Sequence, residues 1–167
     1  MSRAFEPAQL GPLTLRNRII KAATFEGVMP RGEVSDELVD FHARVAAGGA
    51  AMTTVAYCAV SPGGRVHRDT LVMDTRTLPG LRRLVDAVHQ HGAAASAQLG
   101  HAGLVANTRS NRLPTLAPST RVSAPAMTVV RGASEAQLDD VVDDFVSATR
   151  IAADAGFYCI EAHLGHT

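Results

Sequence analysis

The chain has 167 residues, 46% of them apolar and 19% charged, which is enough for one domain with a sizeable core and too apolar for a disordered segment. Lys+Arg and Asp+Glu both number 16, so the net charge is zero and gives no electrostatic reason to expect nucleic acid or an anionic membrane as partner. No apolar run reaches the roughly 20 residues of a bilayer span, and "MSRAFEPAQLGPLTL" lacks the apolar core of a signal peptide, so a cytoplasmic location is expected.

In chain order, "RIIKAAT" (Arg18 to Thr24) is short, β-branched and apolar, and reads as a first strand. A turn around Pro30 and Gly32 follows, then Ser35 as N-cap of a helix with Leu38, Phe41 and Val45 at helical spacing and a stop at Gly48-Gly49. "AAMTTVAYCAV" (Ala50 to Val60) reads as a buried second strand. The next helix carries Leu81, Leu84, Val85 and Val88 on one stripe and closes at Gly92. "AAASAQLG" (Ala93 to Gly100) is a third strand. Pro114, Pro118 and Pro125 make the following segment unfit for helix or central strand. Ser134 then caps a helix with Leu138, Val141, Val142, Phe145 and Ala148 as its apolar stripe, and "FYCIEAHLGHT" is the fourth strand. His42, His89 and His91 fall in helical segments and are expected at the surface or at helix ends. Cys58 and Cys159, far apart and in apolar surroundings, are expected as buried free thiols.

Strand–helix alternation argues for a parallel sheet, whose neighbours need crossovers of helical length. Either an open doubly wound sheet or part of a (βα)8 barrel fits. Period-2 alternation puts Ser96 and Gln98 on one face of the third strand, and Cys159, Glu161 and His163 on one face of the fourth. Each strand thus turns polar toward its C-terminal end, where barrel active sites are built. "KAATFEGVMPRGE" holds no G-x-G-x-x-G after the first strand, which weakens the dinucleotide-fold alternative.

"RNRI", "QLGHAG" and "IEAHLGH", in that order and spacing, resemble the old yellow enzyme family of NADH:flavin oxidoreductases, with "HLGH" closer to its 2,4-dienoyl-CoA reductase branch. The resemblance covers almost the whole chain. It implies that residues 1–167 are the N-terminal half, about four βα units, of a (βα)8 TIM barrel holding FMN. Carried over residue by residue, it implies flavin contact for Ala22, Ala23, Thr24, Phe25, Ala59 and Gln98. It also implies that His163 and His166 hydrogen-bond the oxygen of an activated alkene, with NAD(P)H as reductant and Glu161 as a polar support. Phe25 departs from the Cys or Thr that the family commonly places there, and Thr24 is the neighbouring hydroxyl. The proton-donating tyrosine, the flavin-ring arginine and the phosphate-binding loops of the family fall after Thr167. The fragment is therefore expected to be inactive alone and to need its C-terminal half or self-pairing. The alternatives are a catalytically silent half-barrel and a metal-dependent barrel hydrolase using His163, His166, Glu161 and His101.

Overall fold

The computed structural model describes residues 2–123 and 128–165. The principal sheet runs β3 (Ile20–Lys21), β4 (Met52–Ala59), β6 (Ala94–Gly100) and β9 (Cys159–His163), all parallel, with the short β5 (Leu71–Val72) beside the end of β4. Neighbours in this sheet are successive in the chain, without the order reversal of a doubly wound sheet. Strand order therefore decides for the barrel closure.

Three long helices provide the crossovers: α1 (Asp36–Ala47), α2 (Leu78–His89) and α4 (Glu135–Ala155). Ser35 accepts a hydrogen bond from the Leu38 amide and starts α1, and Ser134 with Gln137 forms a capping box that starts α4. The expected stripe of α2 is fully sealed, with Leu81, Leu84, Val85 and Val88 packed on Val55 and Cys58 of β4 and on Ala95, Ala97 and Leu99 of β6. Ala148, Ala152 and Ala155 of α4 complete this core.

Several expectations need correction. The buried row of α1 is Leu38, His42 and Ala46, while Phe41 and Val45 are only half-buried, because the helix turns His42 onto Thr53 of β4. His42 is thus a core residue; His89 does lie at a helix end, and His91 is exposed. Only the C-terminal half of α4 reaches the core, and Leu138 and Val142 are exposed. Cys58 is buried and Cys159 half-buried, both free. The first strand shrinks to two residues plus a bridge between Phe25 and Ala56, since the chain loosens into "AATF".

Two hairpins were not foreseen. β1 (Ala8–Leu10) and β2 (Leu13–Leu15) pair antiparallel, and Leu15 packs with Met52, Ala94 and Cys159 at the N-terminal end of the sheet. The proline-rich segment contains the one-turn helix α3 (Thr108–Asn111) and the hairpin β7 (Arg121–Ser123)–β8 (Thr128–Val130); Pro125 lies outside the described residues. "RNR" also gains a physical role. The Arg16 guanidinium donates to the carbonyls of Ala46 (2.7 Å), Ala50 (2.8 Å) and His91 (2.8 Å), tying the ends of α1 and α2 to the entry of β4. Asn17 adds a bond to the Gly49 carbonyl at 2.8 Å.

Candidate active site at the C-terminal strand ends

The parallel register aligns the polar faces anticipated from alternation. Gln98 stands opposite Glu161, and Gly100 stands between Ala59 on β4 and His163 on β9. Gln98 is 8% exposed, and its Nε2 donates to Glu161 Oε1 at 2.6 Å. That bond fixes the amide. Its carbonyl oxygen and second N–H have no partner among the described residues, where Glu161 is the one group bonded to it.

Ala59 is fully buried, Ala23 half-buried and Ala22 exposed. The Thr24 hydroxyl is turned away to Glu26 Oε1 (3.1 Å). Phe25 is 44% exposed, so the family's usual polar contact at this position has no side-chain counterpart here. Below it, Lys21 Nζ donates to Glu26 and to the Thr54 carbonyl (3.1 Å), pinning both ends of "KAATFE" to β4.

Sequence reasoning passed over Tyr57. Its ring lies across Gly100, where an added Cβ would come within 2.5 Å of Tyr57 Cε2, so only glycine fits. The Tyr57 and His163 rings meet edge to face at 5.8 Å, and the Tyr57 hydroxyl donates to the Gly64 carbonyl at 3.3 Å. Burial pushes the Tyr57 phenol well above its ordinary range, with Cys58 adding to the effect, so the group stays protonated. The available signal was a lone aromatic in an otherwise small and aliphatic strand. His101 is half-buried, and its Nδ1 accepts from the Gly103 amide (3.1 Å). Burial lowers its basicity against the opposing pull of Asp144, so the ring is neutral. His166 lies outside the described residues. Among the described residues no three His, Cys, Asp or Glu side chains gather as a metal site.

Fit to a flavin rests on two features of these strand ends. The small residues Ala22 and Ala23 leave main chain open to a flat ring, and a fixed primary amide offers both donor and acceptor to its edge.

Successive βα units with their polar residues gathered at the C-terminal strand ends define the segment of a (βα)8-barrel enzyme. The chain belongs to the NADH:flavin oxidoreductase / NADH oxidase family, whose model matches residues 3–167 and whose members use FMN with NAD(P)H as reductant. It is 76% identical over 162 residues to a 4,4'-dithiodibutanoate disulfide reductase of Rhodococcus erythropolis, covering 97% of this chain and 40% of that protein. It is 34% identical to an NADPH dehydrogenase of Listeria monocytogenes, covering 99% of this chain and 49% of that one. The fold matches old yellow enzyme from Pichia sp. AKU4542 with a TM-score of 0.88 at 22% identity, over 96% of this chain and 45% of that one. The chain thus spans less than half the length of these relatives. Among the described residues no helix is long and apolar enough to cross a membrane.

Proposed function

We propose that the complete enzyme carrying this segment is an FMN-dependent, NAD(P)H-driven reductase of small electron-poor molecules. The observation that carries this is the row Ala59–Gly100–His163 beside the locked Gln98–Glu161 pair, at the strand ends of a chain matching the family from residue 3 to 167. Gln98 would hold the pyrimidine edge of the flavin, with Ala22, Ala23, Thr24, Phe25 and Ala59 as its near main-chain surface. Bound FMN, once reduced, supplies the hydride.

In the alkene reading, His163 and His166 donate N–H groups to the carbonyl oxygen of the substrate, where negative charge grows as hydride reaches the β-carbon. Tyr57 holds the His163 ring by edge-to-face packing. A second reading is favoured by the 76% identity to a disulfide reductase: two electrons and two protons divide an organic disulfide into two thiols, and His163 offers its N–H to the departing sulfur. A cytoplasmic setting belongs to the same proposal and rests on the two unpaired thiols.

The test is single-turnover reoxidation of the anaerobically reduced complete enzyme by an enone and, separately, by 4,4'-dithiodibutanoate. Fast reoxidation by either supports the reductase reading and selects its substrate class. A preparation with tightly bound zinc and no flavin absorbance overturns it in favour of a hydrolase. The isolated 167-residue chain is expected to show no turnover, because the remaining strands and phosphate loops complete the site.

A further inference from the structure

Between the end of β6 and the N-cap of α4, residues 101–134 contain Arg109, Arg112, Arg121 and Arg131 and neither Asp nor Glu, in a chain whose overall charge is zero. All four arginines are exposed, and none joins an ion pair among the described residues. This excursion leaves the sheet at the same end as Gln98 and His163. Two cavities adjoin this excursion. One, of about 240 Å³, lies beside His163 and is walled by apolar groups that include Leu116 and Phe145. The other, of about 570 Å³, lies between α3, β8 and the start of α4 and is lined by Arg131, Thr108 and Gln137. Leu116 belongs to the wall of both.

Resting on the reductase reading above, we propose that the arginine-lined cavity is a subsite for an anionic substrate tail. The substrate's apolar body lies past Leu116 next to His163, and a terminal carboxylate pairs with Arg131. A guanidinium fork matches a carboxylate in two parallel hydrogen bonds, and Arg131 joins no ion pair among the described residues that would occupy it. Glu135, Asp139 and Asp140 begin α4 beside Gln137 of the cavity wall, so the attraction rests on the Arg131 guanidinium itself rather than on a local positive field. A nicotinamide dinucleotide also carries anionic groups, and the test separates the two sources.

The experiment compares 4,4'-dithiodibutanoate with its uncharged dimethyl ester in the complete enzyme. Arg131→Ala is expected to raise the KM ratio of acid to ester about tenfold with little change in kcat for the acid, and Arg131→Lys to recover much of it. In the wild-type enzyme, added salt should raise KM for the acid and not for the ester. Saturation-transfer NMR with the same two probes reads binding without turnover, so an enzyme that reduces neither compound counts against the reductase reading and leaves the subsite decidable. A KM ratio that stays within about twofold in both Arg131→Ala and Arg109→Ala/Arg131→Ala overturns the subsite. A rise confined to the KM for NAD(P)H overturns its assignment to the substrate.

Discussion

His42 should make the stability of this chain fall as pH drops through the range in which histidine ordinarily charges. The ring is fully buried, its Nδ1 lies 2.7 Å from Thr53 Oγ1, and its Nε2 has no partner among the described residues. Burial, reinforced by the Lys21 charge, lowers its pKa to about 3. In the unfolded chain the same ring titrates near 6.5. A depressed folded pKa means that the unfolded state takes up the proton first. The stabilisation is complete above about pH 6.5 and drains away as pH falls toward about 3. The slope is about 1.4 kcal/mol per pH unit, so about 2 kcal/mol is lost by pH 5, before most carboxylates protonate. Urea unfolding at about pH 7.5, 6 and 5 for wild type and His42→Gln isolates this term, because His89 and His101, also shifted down by burial, titrate in both proteins. The wild type should lose about 2 kcal/mol more than the variant over that range. Equal slopes would refute the reasoning.

Three further outcomes follow from the same geometry. Lys21→Met leaves the Glu26 carboxylate in a sealed site where its Oε2 already lacks a partner among the described residues, and should cost about 3 kcal/mol in urea unfolding; Lys21→Met/Glu26→Leu should recover most of it. Arg16→Ala strips three carbonyls of a charged donor and should cost about 2 to 3 kcal/mol, with hydrogen exchange speeding up first at the C-terminal turns of α1 and α2. In the complete enzyme, Gln98→Ala should raise the Kd for FMN about tenfold by fluorescence titration, with the unfolding midpoint of the apoprotein little changed.

Much of this was legible in the residues. Apolar periodicity located the three long helices and the four successive parallel strands, though not the hairpins, and Ser35, Ser134 and the α2 stripe were identified to the residue because each is fixed by local chemistry. Alternation placed Gln98 on the polar face of the third strand and Glu161 and His163 on that of the fourth, and the register brings Gln98 and Glu161 into contact. What stayed hidden depends on partners distant in sequence. Phe41 and Val45 lost the core side of α1 to His42 and Ala46, because the hydroxyl of Thr53 on β4 offsets the cost of burying an imidazole. Tyr57 stands out as a lone aromatic, but its packing stayed hidden for a similar reason. Its position depends on Gly100, 43 residues away in the chain, having no side chain.

The two faces of the sheet carry opposite uses of the same pattern. Lys21 and Thr53 stand in register on β3 and β4 much as Gln98 and Glu161 do on β6 and β9. Period-2 alternation alone cannot tell these pairs apart. Their surroundings do. Lys21 and Thr53 lie under α1, where Phe41 covers the ammonium at 5.2 Å and His42 takes up the hydroxyl, so their polarity is spent inside the fold. Glu161 is exposed at the opposite face, and the Gln98 amide it holds keeps an acceptor and a donor unspent. A polar residue on a strand of this fold is thus spent on stability where a helix seals it, and keeps hydrogen-bonding capacity where, like Gln98, it faces away from the helices. On that criterion the Lys21–Glu26 pair should govern unfolding and Gln98 should govern flavin affinity, and neither substitution should produce the other's effect.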